Sequence, residues 1–463
     1  DIFYPDGGNQ RTFMPLWFRT YRYLQIDVQT KNEPLLINDL YGYYTGYPFQ
    51  QKANFASNDS SLQKIWNVGW RTARLCAGET YFDCPYYEEL QYEADTRIQS
   101  LISLYNSGDD RLMRKAIHDF YDSRVPSGLT QGRYPSNRLQ VIPPFSLFWI
   151  SMLHDYWMLR DDTTFVKNYL DATTLIINWY EQHIDPAKQM LGPMDWWSFT
   201  DWNNAFPGGV PPGATDGNSS VITLQFVYTL HQAADLFNYF GRKDLAEKYK
   251  QLSDKLAAGV YQNCFDSNKM EMADTPGKNS FSQHASIWAV LTDAIPENDQ
   301  KQVIENVLHD STLSQATFYF RFYLTRAMIK VGLGDLYYSQ LTPWRDMLKI
   351  GLTTFAENPE PTRSDCHGWS ASPEYDFLAT ICGITPSQPG FKSVKIEPHL
   401  GALQHVKASM PYSNNDQEIK VELQRRGESG IQAEINLPEN LDGEFIWEGK
   451  KMKLHSGEQE INL

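Results

Sequence analysis

Leu236-Phe237-Asn238-Tyr239-Phe240-Gly241-Arg242-Lys243-Asp244-Leu245-Ala246 lies between two long helical patterns, one over 219–240 and one over 242–260. A lone glycine between two such runs is a helix stop and a helix start with nothing in between. The two helices must therefore fold back on each other as a tight hairpin. Gly108 marks a similar join between helices at 93–106 and 109–121. Further outward, Asn58-Asp59 caps a helix over 59–76, in which Ile65, Trp66 and Trp70 fall at helical spacing. The same reading predicts helices over 144–160, 163–183, 280–291, 297–308, 315–331, 333–349 and 372–382.

The connections between these elements alternate in length. Joins from an even helix to the next odd one are short: 107–108, 161–162, 241, 292–296 and 332. Joins from odd to even are mostly long: 77–92, 122–143, 184–218, 261–279 and 350–371, with 309–314 the short exception. Twelve antiparallel helices in alternating outer and inner order make an (α/α)6 toroid, with every long join on one face. Closure places loop 350–371 near loop 77–92. Long loops on one face of a rigid scaffold are where function is expected.

Both ends of the chain read as β. In the first 50 residues Leu24, Ile26 and Val28 alternate with polar neighbours. Near the other end Ile419, Val421 and Leu423, then Ile431, Ala433, Ile435 and Leu437, alternate around a turn at 426–430. The expected architecture is mainly α with flanking β. Residues 1–50 would close an N-terminal β domain, 51–388 form the toroid, and 389–463 an antiparallel β-sandwich.

Of the 463 residues, 41 are Lys or Arg and 56 Asp or Glu, for a net charge of −15. This balance argues against nucleic acid and anionic membrane surfaces as partners. No apolar run is long enough to span a membrane. The five cysteines form no C-x-x-C or zinc-ligand spacing, which suits buried free thiols, with one disulfide as the alternative. Motifs for a metalloprotease, a phosphate loop, a nucleophile elbow and a dinucleotide site are absent, so no metal or cofactor is expected. The unusual figure is 14% aromatic residues, with 13 Trp and 27 Tyr.

Acids and aromatics coincide in the long loops. Loop 77–92 and the turn after it hold Glu79, Asp83, Glu88, Glu89, Glu93 and Asp95, with no Lys or Arg between Arg74 and Arg97. Such crowding should raise at least one carboxyl pKa, as a general acid requires. Glu89 and Glu93 read as a solvated helix start. Asp83, Glu88 and Asp95 sit among Tyr81, Phe82, Tyr86, Tyr87 and Tyr92, too aromatic a setting for a solvated face. Loop 184–218 carries Asp195-Trp196-Trp197 and Asp201-Trp202. These tryptophans either form a platform for sugar rings or roof the core. Loop 350–371 brings Glu357, and His367 as a base, a sugar ligand or a packing residue. Paired carboxylates from two loops are the glycoside-hydrolysis arrangement. Arg133 lines the cleft or shapes its turn. Arg321 reads as a buried structural guanidinium.

Asp83-Cys84-Pro85-Tyr86-Tyr87-Glu88-Glu89-Leu90-Gln91-Tyr92-Glu93-Ala94-Asp95 resembles the signature of the family 78 α-L-rhamnosidases, and Thr353-Thr354-Phe355-Ala356-Glu357 resembles the strip that ends in their general base. Met14–Tyr23 resembles the end of the β domain that precedes their toroid. The resemblance implies a bacterial, metal-free, inverting glycosidase acting on an oligosaccharide or glycoside. The compartment is not readable from the sequence; a bacterial glycan-degrading enzyme would be expected in the periplasm or outside the cell rather than in the cytoplasm. It implies Glu88 as general acid and Glu357 as general base. Asp83 and Asp95 would hold rhamnose hydroxyls, Tyr92 replaces the usual Trp, and His367 matches the His of the Ser/Asn-His segment that follows the base. Either Asp195-Trp196 or Asp201-Trp202 matches the family's Asp-Trp step. The sequence departs from the pattern at Tyr87, Gln91, Tyr92, Ala94 and Ala356, which bears on sugar specificity. An inverting pair should stand about 6.5–9.5 Å apart. The alternatives are another (α/α)6 glycosidase, a lyase with a Tyr/His or Tyr/Arg pair, or a non-catalytic carbohydrate-binding protein.

Overall fold

The computed structural model describes residues 1–412 and 417–463. Its helices are α1 (Ser60–Leu75), α2 (Glu93–Ser107), α3 (Arg111–Asp122), α4 (Pro143–Leu159), α5 (Thr163–Lys167), α6 (Leu170–Glu181), α7 (Ser220–Tyr239), α8 (Lys243–Cys264), α9 (Gln283–Leu291), α10 (Glu297–His309), α11 (Phe318–Lys330), α12 (Tyr337–Gln340), α13 (Thr342–Lys349) and α14 (Pro373–Asp376). A 3-10 turn at Gly368–Ala371 precedes α14 and a wide π turn at Phe377–Ile381 continues it.

An inner ring closes on itself. α2 packs on α4, α4 on α7, α7 on α9, α9 on α11, α11 on the 368–371 turn, and that turn on α2. The inner helices are buried nearly all round, and all fifteen residues of α2 are buried. The outer helices bury one stripe each: α3 hides Leu112, Met113, Ala116, Ile117 and Phe120 and turns the rest outward. This is the alternating toroid that the loop lengths imply. Every long join leads into the N-terminus of an inner helix, so these N-termini and the long loops share a face.

Three helix expectations differ in detail. The run over 163–183 is two helices broken at Asn168-Tyr169, and asparagine is a weak helix former. The run over 333–349 breaks at Leu341, because Pro343 has no N–H to continue the ladder. The last inner helix widens into a π turn instead of running to 382.

The strands are β1 (Asn54–Ser57), the short hairpins β2 (Ile184–Asp185) with β3 (Met190–Leu191) and β4 (Phe265–Asp266) with β5 (Glu271–Met272), then β6 (Ile384–Pro386), β7 (Ser393–Ile396), β8 (His405–Tyr412), β9 (Gln417–Arg426), β10 (Gly430–Leu437), β11 (Asp442–Trp447), β12 (Lys450–Leu454) and β13 (Gly457–Asn462). They form a sheet ordered β1-β8-β9-β10-β13 and another ordered β12-β11-β7-β6. In the β9–β10 hairpin Leu423 faces Ala433 and Val421 faces Ile435, and all four are buried. β11 and β7 are the parallel exception in an otherwise antiparallel pair of sheets. β1, ahead of the toroid, supplies the edge strand beside β8, so the chain leaves and re-enters the same sheet.

The expected N-terminal strand is not formed. Residues 1–50 contain no strand, and Leu24, Ile26 and Val28 are all exposed. Alternation creates an apolar face, but a strand also needs a neighbour to take its N–H and C=O groups, and none of the strands pairs with this segment. All five cysteines are free thiols, four of them buried.

Arg97 stands at the middle of the inner ring. Its guanidinium, on α2, bonds Asp155 of α4 at 2.8 and 3.3 Å, Tyr228 of α7 at 3.4 Å and Tyr323 of α11 at 3.3 Å. It is almost fully buried and packs against the Phe148, Tyr228 and Tyr323 rings. Removing one side of a buried ion pair leaves the other charge without compensation. Arg97→Leu is expected to destabilise the fold by about 3–5 kcal/mol, measured by denaturant unfolding. A loss under about 1 kcal/mol would show that the ring does not depend on this contact.

Candidate active site

The acid loop is shaped by Asp83. Its N–H bonds Leu90 O at 2.8 Å and its Oδ1 accepts from Leu90 N at 3.0 Å, which closes residues 83–90 into a compact turn. Inside that turn Glu88 N–H points at Cys84 Sγ, 3.4 Å away. The strip that follows is strapped to loop 122–143. Glu93 N bonds Gly132 O at 3.2 Å and Tyr134 N bonds Gln91 O at 3.0 Å. These contacts hold Arg133 opposite Tyr92, and its Nη1 donates to the Tyr92 hydroxyl at 3.1 Å.

Loop 350–371 docks on the same place. Gly368 N bonds Asp83 O at 2.8 Å, His367 Nε2 meets Asp95 Oδ1 at 3.0 Å, and Cys366 Sγ lies 3.9 Å from Cys76 Sγ. A Cβ on Gly368 would stand 2.0 Å from Gln99 Nε2, so only glycine permits this approach. Glu357 is held through its backbone: its N–H donates to Ser364 O at 2.9 Å and its carbonyl accepts from Trp369 Nε1 at 2.7 Å. Its side chain is 6% exposed and approaches Arg363.

One side chain joins the two candidate catalytic carboxylates. Arg363 Nη2 contacts Glu88 Oε1 directly and lies 3.7 Å from Glu357 Oε2. Sequence reading treats loop 77–92 as lacking counter-charge; the structure supplies that charge from 275 residues away. No local signal marks Arg363, because its partner depends on closure of the ring.

The charge states divide accordingly. For Glu88, burial acts to raise the pKa, but hydrogen bonds from Arg363 and Tyr92 outweigh it and hold the carboxyl below its ordinary value. The raised carboxyls that crowding implies are elsewhere. Burial, reinforced by Glu88 and Asp95 and offset in part by His367, pushes Asp83 up to about 7. Burial and the Glu88 charge hold Asp95 well above the ordinary range. Burial lowers His367 even though Asp83, Glu357 and Glu88 surround it.

Glu93 does not belong to a solvated helix start. It is fully buried, neither carboxyl oxygen has a hydrogen-bond partner among the described residues, and burial holds its pKa well up. The macrodipole argument applies to exposed helix ends, whereas α2 is enclosed by the ring. Glu374, on α14, is buried in the same unpartnered way and was not singled out by any sequence pattern. Glu89 is half-buried and accepts from Trp17 Nε1.

Loop 184–218 splits its two Asp-Trp steps. Asp201 is fully buried, and its oxygens accept from His284 Nε2 at 2.7 Å, Thr317 N at 2.9 Å and the Thr317 hydroxyl. It ties the loop to the starts of α9 and α11. Asp195 and Trp196 are exposed, and Trp196 has a positive φ of 71°. Trp197 and Trp202 are half-buried around Phe199, and Phe199 packs through Phe145 to Tyr92. A continuous aromatic wall therefore runs from the tryptophan loop to the acid loop. Arg321, expected as structural, bonds Gln340 at 3.2 Å. Asp83, Cys84 and His367 bring one donor atom each within 4.8 Å of one another, a grouping produced by the fold and not by sequence spacing.

The toroid and its converging loops match known proteins. A family model described as the bacterial α-L-rhamnosidase six-hairpin glycosidase domain matches residues 50–381. The chain belongs to that family. An α-L-rhamnosidase of Alteromonas sp. (strain LOR) is 21% identical over 96% of this chain and 50% of its own length. The family 78 rhamnosidase of Bacillus sp. GL1 superposes with a TM-score of 0.80 at 22% identity, over 87% of this chain and 43% of that one. The Streptomyces avermitilis α-L-rhamnosidase, solved with L-rhamnose, gives 0.74 at 18% identity, over 90% of this chain and 42% of that one. The chain thus spans half or less of the length of these relatives. At these identities the likeness of the family 78 structures establishes the fold, and the site stands on its own geometry.

The raised carboxyls make stability pH-dependent. They hold protons in the folded state that the unfolded chain releases near its ordinary value, 3.8 for Asp83. Their contribution is complete below that value and is lost as pH rises through the folded one. Asp83 sets a window from 3.8 to about 7, and Glu93 extends it upward. The melting temperature should therefore fall from about pH 4 through about pH 7, and further above it through Glu93. Glu93→Gln should flatten that fall in thermal unfolding scans, and an unchanged slope would assign it to other groups.

Proposed function

We propose that the chain is the catalytic portion of an inverting glycosidase that releases terminal α-L-rhamnose. The observation that carries this reading is the placing of Glu88 and Glu357, from loops far apart in sequence, against one guanidinium nitrogen at the mouth of the toroid. Glu88 protonates the glycosidic oxygen, and Glu357 takes a proton from the water that attacks the opposite face of the sugar. Because both oxygens touch one nitrogen, the nearest oxygens of the pair stand no more than about 6 Å apart with Arg363 between them, short of the about 6.5–9.5 Å at which an inverting pair leaves room for that water.

The buried groups behind the pair suit a sugar with several hydroxyls. Burial pushes the Asp83 and Asp95 carboxyls toward the protonated form, in which a carboxyl donates as well as accepts hydrogen bonds. Asp83 Oδ2 and His367 Nδ1 are buried without partners among the described residues, so they are open to a ligand. Tyr92 and Arg133 border the acid. Trp197 and Trp202 end the aromatic chain that begins at Tyr92, and the exposed Trp196 beside them offers a face to the sugar. Asp195, exposed beside Trp196, is the better match to the family's Asp-Trp step, since the oxygens of Asp201 already have protein partners.

Arg363 sets a condition on the chemistry. Glu88 must hold a proton to act as the acid, and a guanidinium against it favours the ionised form. Arg363 is half exposed, so its guanidinium stays in contact with solvent when it withdraws from Glu88. Substrate entry between the two carboxylates supplies the displacement, and Glu357 remains within reach of the displaced guanidinium.

Glu88→Gln and Glu357→Gln should each lower kcat on an aryl α-L-rhamnoside by about 10²–10⁴-fold while the fold, read by circular dichroism, is kept. Full activity in Glu88→Gln would sink the assignment. Arg363→Gln should move the basic limb of the kcat/KM profile to higher pH, because without the guanidinium Glu88 keeps its proton longer. A shift to lower pH would refute this role of Arg363.

A further inference from the structure

We infer that Trp17 and Tyr87 form a leaving-group subsite on the open side of Glu88, where they stack on the flat C–H or aryl face of whatever the released sugar is attached to. This rests on Glu88 acting as the acid, since the acid must touch the oxygen that joins the two halves of the substrate.

The site has a closed side and an open side. The side chains of Asp95 and Glu357 are 2% and 6% exposed, whereas that of Glu88 is 24% exposed. A sugar held by the closed side places its leaving group toward the solvent beside Glu88. The groups found there are aromatic. Tyr86 and Tyr87 are exposed and pack edge-to-face at 4.9 Å. Arg363 Cζ lies 5.4 Å from the centre of the Tyr87 ring.

Trp17 reaches this side from the segment ahead of the toroid. Most of residues 1–45 are exposed, but residues 17–20 are fastened to the acid loop. Trp17 Nε1 donates to Glu89 Oε2, the Thr20 hydroxyl donates to Pro85 O at 2.6 Å, and the Phe18 and Phe82 rings pack at 5.4 Å. Glu89, next to the acid in the chain, adopts a φ of 55°, which a side chain rarely takes, and its carboxylate holds the indole. The indole N–H is thus spent on Glu89 and the ring packs on Phe18, while the residue stays 42% exposed. An anchored, partly exposed indole, held by the residue next to the acid, offers surface to another flat group.

The test compares leaving groups. For the parent chain and Trp17→Ala, kcat/KM is measured on α-L-rhamnosyl fluoride, on a rhamnose-terminated disaccharide and on an aryl α-L-rhamnoside. The fluoride has no ring to stack. Trp17→Ala should lower the disaccharide-to-fluoride ratio of kcat/KM by about five- to tenfold, in line with the loss of one aromatic contact. Trp17→Phe should restore most of it. If only the aryl ratio falls, the flat face is an aryl group and not a sugar, and the subsite stands. An unchanged ratio for both substrates, in a parent chain that hydrolyses all three, would overturn the subsite alone. A parent chain inactive even on the fluoride would overturn the hydrolase reading and the subsite with it.

Discussion

A single buried guanidinium, that of Arg97, ties together four of the six inner helical positions of the ring. It sits where α2, α4, α7 and α11 converge, with one carboxylate and two phenols as partners. Burying an arginine there is tolerable because Asp155 compensates its charge and three aromatic rings surround it. The consequence reaches the site. α2 begins at Glu93 and Asp95, α4 carries Phe145 of the aromatic wall, and α11 begins beside Thr317, which holds Asp201. The position of each is set by how these helices are drawn together beneath them.

The site itself arises from a mismatch of lengths. Short joins at one end of the toroid force each helix pair into a hairpin, and the spare chain collects at the other end. There the loops bond to one another: Gly368 to Asp83, His367 to Asp95, Tyr134 to Gln91. Enclosure by neighbouring loops expels water from some carboxyls and leaves others beside a cation. Burial pushes Asp83, Asp95 and Glu93 toward the protonated form, while hydrogen bonds from Arg363 and Tyr92 hold Glu88 below its ordinary value. A row of acids that looks uniform in the sequence thus divides into groups with different chemical capacities.

Much of the architecture was legible in the chain. Helix positions followed from periodicity and caps, ring order followed from the alternation of join lengths, and the β9–β10 hairpin followed from alternation around 426–430. Glu88 stood out among the aromatics of loop 77–92, and Glu357 because ring closure brings loop 350–371 beside that loop. Residues 1–50 were misread as β because alternation specifies a face and not a partner. Glu93 was misread because the dipole argument assumes solvent at a helix start that the ring encloses. Arg363 and Trp17 were missed because their partners, Glu88 and Glu89, lie 275 and 72 residues away.

By itself, then, the sequence determined which segments are helical, how they pair and which carboxylates are candidates, since these depend on local spacing and chain connectivity. Only the tertiary structure decided which of those carboxylates is sealed, which is protonated and which is paired with a cation. The ionisation of a side chain depends on the water it loses and the charges it gains, and both come from residues distant in the chain.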